Sequence, residues 1–156
     1  MIAYKFTRPG GSTHNGFRWP LPSADGPGEW VEIGKRARRA LTMHDLCTSR
    51  VFHATDAAHL ISWADAELYE VEIDEGRGLI VGSDKIGFRR GRLVRRIEAW
   101  NEGTAQAAWD AAWAVARAAA WDAPRGAPRA AAWAAAWDAA RAKYGRWLCD
   151  QLGIAT

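Results

Sequence analysis

Short runs of alternating apolar and polar residues fill the first two thirds of the chain. The clearest run is 68–74, where Tyr69, Val71 and Ile73 share one face and acidic side chains occupy the other. A period of two is typical of a strand with one buried face. Similar but shorter runs predict strands at 2–6, 30–33, 50–54, 79–81 and 91–97.

Two further segments of this region have other patterns. Thr55 and Asp56 are residues that cap helix N-termini, and they predict a short helix over 57–64. The stretch 35–46 allows a turn of helix followed by a strand that enters at Leu41. Strands with one or two short helices, followed by a helical tail, predict an α+β fold.

The last third of the chain changes to a pattern of alanine and tryptophan that occurs twice. The segment 107–117 recurs 24 residues later as 131–141. Alanine has the highest helix propensity, so both copies are predicted to be helical. Pro124 and Pro128, which flank Gly126, are predicted to break the chain between the copies. The pattern therefore predicts an Ala/Trp-rich helical hairpin.

The tryptophans of this hairpin recur at helical spacing. One stripe of the second helix contains Trp133, Trp137, Arg141, Tyr144 and Leu148. Indoles are enriched at interfaces, so two interpretations stay open. The hairpin either covers the sheet of its own chain or packs against a second chain. The candidate interface residues are Trp109, Trp113, Trp121, Trp133 and Trp137.

Composition narrows the class of protein. The 156 residues are 49% hydrophobic with a net charge of +3, which suits a folded chain rather than a disordered one. We expect two domains, a β-rich module at 1–101 and the hairpin at 102–156. The sequence contains no run of about 18 uncharged apolar residues, so it predicts no membrane span. Without a signal-peptide pattern, we expect a cytoplasmic protein in which Cys47 and Cys149 are free thiols.

A segment near the middle of the chain resembles an uncharacterised family of bacterial and phage proteins. It runs Cys47-Thr48-Ser49-Arg50-Val51-Phe52-His53-Ala54-Thr55 and continues through Leu60, Trp63 and the strand at 68–72. The family carries Cys-x-x-Gly-hydrophobic-His-Ala-Cys, and it opens with motifs similar to 3–5 and 16–19 here. The resemblance covers roughly 1–97. Arg50 replaces the family's glycine and Thr55 its second cysteine, and the family brings no known activity.

The order of elements is also similar to that of the mono-ADP-ribosyltransferase fold. In that comparison a first strand, a strand–helix unit and a later strand supply the reacting side chains. Aromatic rings would stack on nicotinamide, an arginine would hold pyrophosphate and a carboxylate would stabilise the transition state. The likeness implies an NAD-consuming enzyme with candidate catalytic residues Tyr4, Arg8, His53 and Glu72.

Two basic clusters suggest a third function, contact with nucleic acid. The candidate residues are Lys35, Arg36, Arg38, Arg39, Arg89 and Arg90. The acidic run that starts at Asp65 precedes the second cluster. If the strands at 68–74 and 91–97 are neighbours, cross-strand pairs neutralise the arginines near 90–96. The first cluster has no such acidic companion and is the better nucleic-acid candidate.

Four side chains of the middle segment are of types that bind zinc: His44, Cys47, His53 and His59. Their spacing matches no standard zinc site, so we expect neither a metal nor any other cofactor. His53 is instead predicted to lie on a buried strand and to bond a neighbouring carbonyl group, with His59 on a helix surface. The leading hypothesis is a non-enzymatic interaction module that self-associates, or binds a protein partner, through its Trp-rich helices.

Overall fold

The structure is a computed structural model that describes residues 1–33, 40–122 and 124–154. Within these ranges it describes all side chains except those of Cys47, Ile61, Glu102, Ala105, Ala108 and Ala127. The chain divides into two compact units. The sheet unit comprises Met1–Asp56 and Trp63–Glu98, and the helical unit comprises Ala57–Ser62 and Ala99–Thr156. The fold class is α+β, as the sequence predicts.

Seven strands build the sheet unit. A four-stranded sheet has the order β1-β4-β7-β2, and a three-stranded sheet has the order β3-β6-β5. Every pairing is antiparallel. The strands are β1 (Ile2–Thr7), β2 (Val31–Glu32), β3 (Phe52–Ala54), β4 (Glu67–Ile73), β5 (Leu79–Val81), β6 (Ile86–Phe88) and β7 (Arg90–Arg96).

Three sequence predictions about this region need correction. The predicted helix over 57–64 is a 3-10 helix, Ala57–Ser62. The predicted strand at Leu41 is absent from the described residues 40–46, where a 3-10 helix spans Met43–Cys47 instead. The strand β6 was not predicted. Residues 35–39, where the sequence allows a turn of helix, lie outside the described residues.

Large side chains fill the interior of the sheet unit. Tyr69, Val71 and Ile73 of β4 are all buried, which confirms the predicted inward face. Phe88, Leu68 and Leu93 are fully buried. The rings of Trp19, Phe52 and Phe88 pack at tilted angles, with centroids 4.6 to 6.2 Å apart. Removing this much aromatic and aliphatic surface from water is the main source of stability for such a unit.

Two helices form the hairpin of the helical unit, α1 (Glu102–Asp122) and α2 (Ala127–Leu152). Gly126 caps the start of α2 with φ at 90°, a value that favours glycine. Pro128 does not break the chain, because it lies in the first turn of α2, where its missing N–H costs no hydrogen bond. Among the described residues, no helix is long and apolar enough to cross a membrane.

Alanines make the closest contact between the two helices. Ala112 is fully buried, Ala140 is nearly so, and Trp137 and Tyr144 pack against them. Ala112, Ala116 and Ala120 recur every four residues and form the buried stripe of α1. Small side chains let the helix axes approach closely. The larger indoles are therefore placed beside this contact rather than within it.

Candidate functional site

An indole cluster lies along the hairpin and comprises Trp109, Trp113, Trp133 and Trp137. The ring of Trp109 meets the edge of Trp137 at a centroid distance of 5.0 Å, and Trp113 meets Trp133 at 4.7 Å. Trp113 also contacts Trp137, and the Trp133 and Trp137 rings are nearly parallel. Edge-to-face contacts at these distances are favourable. The four rings therefore hold one another in a fixed arrangement.

The cluster nevertheless remains open to solvent. Trp109 is 40% exposed and Trp113 is 47% exposed, whereas the stripe Ala112, Ala116 and Ala120 of the same helix is buried. Trp133 and Trp137 are half-buried. Trp121, which the sequence grouped with them, is 77% exposed near the end of α1. The placement is opposite to that of an ordinary amphipathic helix, which buries its largest apolar side chains.

The surroundings of the cluster differ between the two helices. On α2, Ala130 and Ala134 are exposed and lie one turn from Trp133 and Trp137, respectively. The small alanine side chains form hollows, and the larger indoles beside them form ridges. Several further alanines on the exposed sides of both helices extend this low surface: Ala107, Ala114, Ala118, Ala131, Ala135, Ala139 and Ala142.

On α1 the cluster is bordered by polar side chains of opposite charge. Gln106 donates a hydrogen bond of 2.8 Å to Asp110, one turn from Trp113. Arg117 is exposed and makes no ion pair with another described residue. Asp110 and Arg117 are seven residues apart, so they lie on the same side of the helix. Trp113 is close to the midpoint between them.

Two of the four candidate catalytic residues, Tyr4 and His53, line the same pocket of the sheet unit, whereas Arg8 and Glu72 are not among its lining residues. Tyr4 pairs with Glu70 across the β1–β4 ladder. The hydrogen bond to Glu70 is the main cause that raises the pKa of Arg95, and the charges of Glu70 and Tyr4 raise it further, against the effect of burial. Glu72 accepts a hydrogen bond of 2.7 Å from Arg92 Nε. Arg8 donates to His14 Nδ1 at 2.7 Å.

His53 lies on β3, close in sequence to Thr55, which forms a bridge with Tyr4. Its Nε2 atom is 2.5 Å from the Leu46 carbonyl oxygen, and Phe52 beside it is buried. The prediction that His53 bonds a carbonyl group from a largely buried strand is therefore confirmed. Burial is the main cause that lowers the pKa of His53, and the charges of Lys5 and Lys85 lower it further, against the effect of the Leu46 carbonyl. The described residues contain no group of three or more side chains able to hold a metal ion.

The other two histidines among the side chains of zinc-binding type, His44 and His59, lie on two different 3-10 helices. His44 lies on the exposed side of the 3-10 helix Met43–Cys47, and His59 is half-buried on the 3-10 helix Ala57–Ser62. The side chain of Cys47 lies outside the described residues. Cys149 is a buried thiol that forms no disulfide with another described cysteine, and its Sγ is 3.2 Å from the Ala57 carbonyl oxygen.

The second basic cluster is paired internally. Ion pairs join Arg90 to Asp74 at 2.5 Å, Arg92 to Glu72 at 2.7 Å and Arg95 to Glu70 at 2.5 Å. The guanidinium groups of Arg90 and Arg92 also lie over the Trp30 ring, 4.3 and 4.9 Å from its centroid. These contacts confirm the predicted cross-strand pairing and leave little positive charge for a phosphate backbone.

The remaining nucleic-acid candidates are of two kinds. Arg89 is buried, at 9% exposure, and so presents little charge to solvent. The other four, Lys35, Arg36, Arg38 and Arg39, lie outside the described residues. The indole cluster is therefore the candidate functional site that the geometry defines best among the sites predicted from the sequence. A comparison with models of protein families, with curated proteins and with solved structures finds no match to this chain.

Proposed function

We propose that this protein is a cytoplasmic interaction module that forms a two-fold homodimer through the indole cluster of its hairpin. The observation that supports this best is the open face of α1, where Trp109 and Trp113 are exposed while the stripe Ala112, Ala116 and Ala120 is buried. A face with ridges and hollows of matching size can receive a copy of itself. In a two-fold interface the same patch serves on both chains.

The exposed indole surface is large enough to matter. A tryptophan side chain presents up to about 250 Å², so an indole that is 40–47% exposed leaves on the order of 100 Å² in contact with water. Burying that area is worth about 2.5 kcal/mol per indole. A dimer would bury four such indoles, two from α1 of each chain. Together they would contribute four times this amount, before the entropic cost of association is subtracted.

The charges on α1 select a second copy as the partner. If two α1 helices cross antiparallel about an axis near Trp113, Asp110 of one chain faces Arg117 of the other, and the reverse pair forms at the same time. Both residues are exposed, so the two pairs add specificity more than affinity. The rigid edge-to-face packing of the rings lowers the conformational entropy lost on docking.

The test is the dimer dissociation constant from sedimentation equilibrium of purified variants. Trp113→Ala should weaken the dimer by at least tenfold, because its ring lies at the centre of the proposed interface. Trp63→Ala is the matched control: its side chain is also 40% exposed, but it belongs to the sheet unit and donates a hydrogen bond to the Asp84 carbonyl group. Equal dissociation constants for the two variants would contradict the proposal.

A further inference from the structure

A pocket of about 660 Å³ lies within the sheet unit, between β1 and β3. The two strands are joined by a bridge in which Tyr4 and Thr55 exchange two backbone hydrogen bonds of 2.8 Å. The loop around 13–17 and the side chains of Trp63, Asp65 and Lys85 complete the wall. A volume of this size is ordinary for a small-molecule site.

Positive charge dominates the lining of this pocket. Lys5 and Lys85 contribute two ammonium groups, against the single carboxylate of Asp65. His14 lies between Arg8 and Asp65: its Nδ1 is 2.7 Å from Arg8 Nη2, and its Nε2 is 3.6 Å from Asp65 Oδ2. An arginine can only donate, so Nδ1 accepts and the proton of a neutral His14 is on Nε2. The Asp65 carboxylate therefore interacts in part with His14 and not only with the lysines of the pocket.

Lys5 is the least compensated of these groups. It is half-buried, and it makes no hydrogen bond or ion pair with another residue that the structure describes. Burial lowers the pKa of Lys5 to about 8, although the charge of Asp65 acts in the opposite direction. Burial and the two lysines also lower the pKa of His53. An anion bound here would stabilise the protonated form of both groups.

Flat rings form the rest of the wall. Phe17 and Phe52 pack with their centroids 5.1 Å apart. Trp63 is held by its hydrogen bond of 2.8 Å to the Asp84 carbonyl oxygen, and the Lys85 ammonium lies 5.6 Å from its ring centroid. Such a wall presents apolar faces on which a planar ring can stack, next to cations that can hold an acidic group.

We propose that this pocket binds a small organic anion that carries a flat ring, with its phosphate or carboxylate group on Lys5 and Lys85 and its ring against Phe17 and Trp63. This site is independent of the proposed dimer, because the described residues that line it belong to the sheet unit and the indole cluster belongs to the helical unit. The ligand completes the coordination of a buried ammonium group that the described protein groups leave without a hydrogen bond.

Isothermal titration calorimetry with four probes tests this site. Adenosine monophosphate has both the ring and the phosphate, adenosine has only the ring, inorganic phosphate only the anion, and benzoate has a ring with a carboxylate. We expect a ring-bearing anion to bind at least tenfold more tightly than adenosine or inorganic phosphate. Binding of the monophosphate alone would assign a phosphate site, and binding of benzoate alone a carboxylate site.

Two variants distinguish a ligand site from a general effect on folding. Lys5→Met should weaken binding of the ring-bearing anion at least tenfold. In the unmodified chain, binding of the anion at pH 8 should be accompanied by proton uptake, which is detected by repeating the titration in buffers of different ionisation enthalpy. Lys5→Met should abolish this proton uptake. Trp113→Ala should bind the anion normally even as a monomer. Failure of both ring-bearing anions to bind, or unchanged binding by Lys5→Met, would overturn the proposal and leave the dimer proposal unaffected.

Discussion

The core of the sheet unit and the contact between the two helices of the hairpin place large apolar side chains in opposite ways. The sheet unit buries Phe88, Leu68 and Leu93 completely and keeps paired charges on its outer strand faces. The helical unit also buries Leu148 and Trp100, but at the contact between its two helices it buries alanines and leaves Trp109 and Trp113 exposed. The core of the sheet unit accounts for its buried rings, whereas the exposed indoles of the hairpin need a role outside it. This difference is the physical basis of the proposed dimer.

The largest effect expected from this comparison is the loss of an aromatic ring from the sheet unit. Phe88→Ala should lower the free energy of unfolding by about 3–5 kcal/mol, because the ring is fully buried between Phe52 and Trp19. Trp109→Ala should cost clearly less in dilute solution, since 40% of its surface is exposed. Urea unfolding followed by circular dichroism measures both. Similar losses would mean that the two units do not differ in this way.

The next effect concerns the alanine contact between the helices. Ala112→Leu should destabilise the helical unit by about 1–3 kcal/mol, because Ala112 is fully buried against α2 and a larger side chain forces the helices apart. Ala114→Leu is the matched control at an exposed position of α1, with an expected change within about 0.5 kcal/mol. Thermal unfolding compares them. Equal melting temperatures would show that the alanine stripe does not set the helix spacing.

The pocket lysine predicts a dependence of stability on pH. The pKa of Lys5 is lowered from 10.5 to about 8 in the folded chain, so between these values the unfolded chain holds a proton that the folded chain has lost. Stability should therefore rise with pH across this window, by about 1 kcal/mol after allowance for solvent in the pocket.

The comparison of the unmodified chain with Lys5→Met isolates this contribution from the other titrating groups. The variant should be the more stable at pH 7, and the difference should shrink toward pH 10. Parallel stability curves for the two chains over that range would show that burial does not penalise the Lys5 charge.

The smallest effect concerns the charged face of the sheet. Glu72→Lys should destabilise the sheet unit more than Glu72→Gln, because it places a cation beside Arg92 and the neighbouring Arg90. One partly exposed pair is worth about 0.2–1 kcal/mol, and the gap between the variants should shrink at high salt. Melting temperatures at low and high salt measure it. A gap that does not respond to salt would point to a steric cause.

The sequence predicts the strands whose periodicity is strong. The alternation at 68–74 correctly gives the inward face of β4, and the charge pattern correctly gives its pairing with β7. The exact partners are less predictable: a bulge between Glu70 and Val71 shifts the register and places Arg95, not Val94, opposite Glu70. The signal for β6 is weak, because its middle residue is Gly87, which has no side chain to contribute to an alternating pattern; a Cβ atom there would lie 2.9 Å from a methyl group of Leu46.

The candidate sites are harder to predict for two reasons. In the hairpin about half of the positions are alanine or tryptophan, and alanines occur on every side of both helices, so the composition does not indicate which alanine face is buried. In β1 the alternation at 2–6 predicts a strand, but it does not indicate on which face Lys5 lies. The structure places Lys5 opposite Tyr69, on the buried face of the sheet, with Tyr4 opposite Glu70. The pocket could therefore not be predicted, because β1 has buried residues on both faces and its sequence does not indicate the face on which Lys5 lies.

Charge reversal on α1 tests the central claim most directly. Sedimentation velocity should give the unmodified chain twice its monomer mass of 17.2 kDa at micromolar concentration. Asp110→Arg alone and Arg117→Asp alone should each shift the protein toward monomer, because like charges then meet across the proposed axis. The double variant should recover the dimer, since both cross-chain pairs form again with their signs exchanged. A monomeric unmodified chain, or a double variant that associates no better than the single variants, would contradict the account.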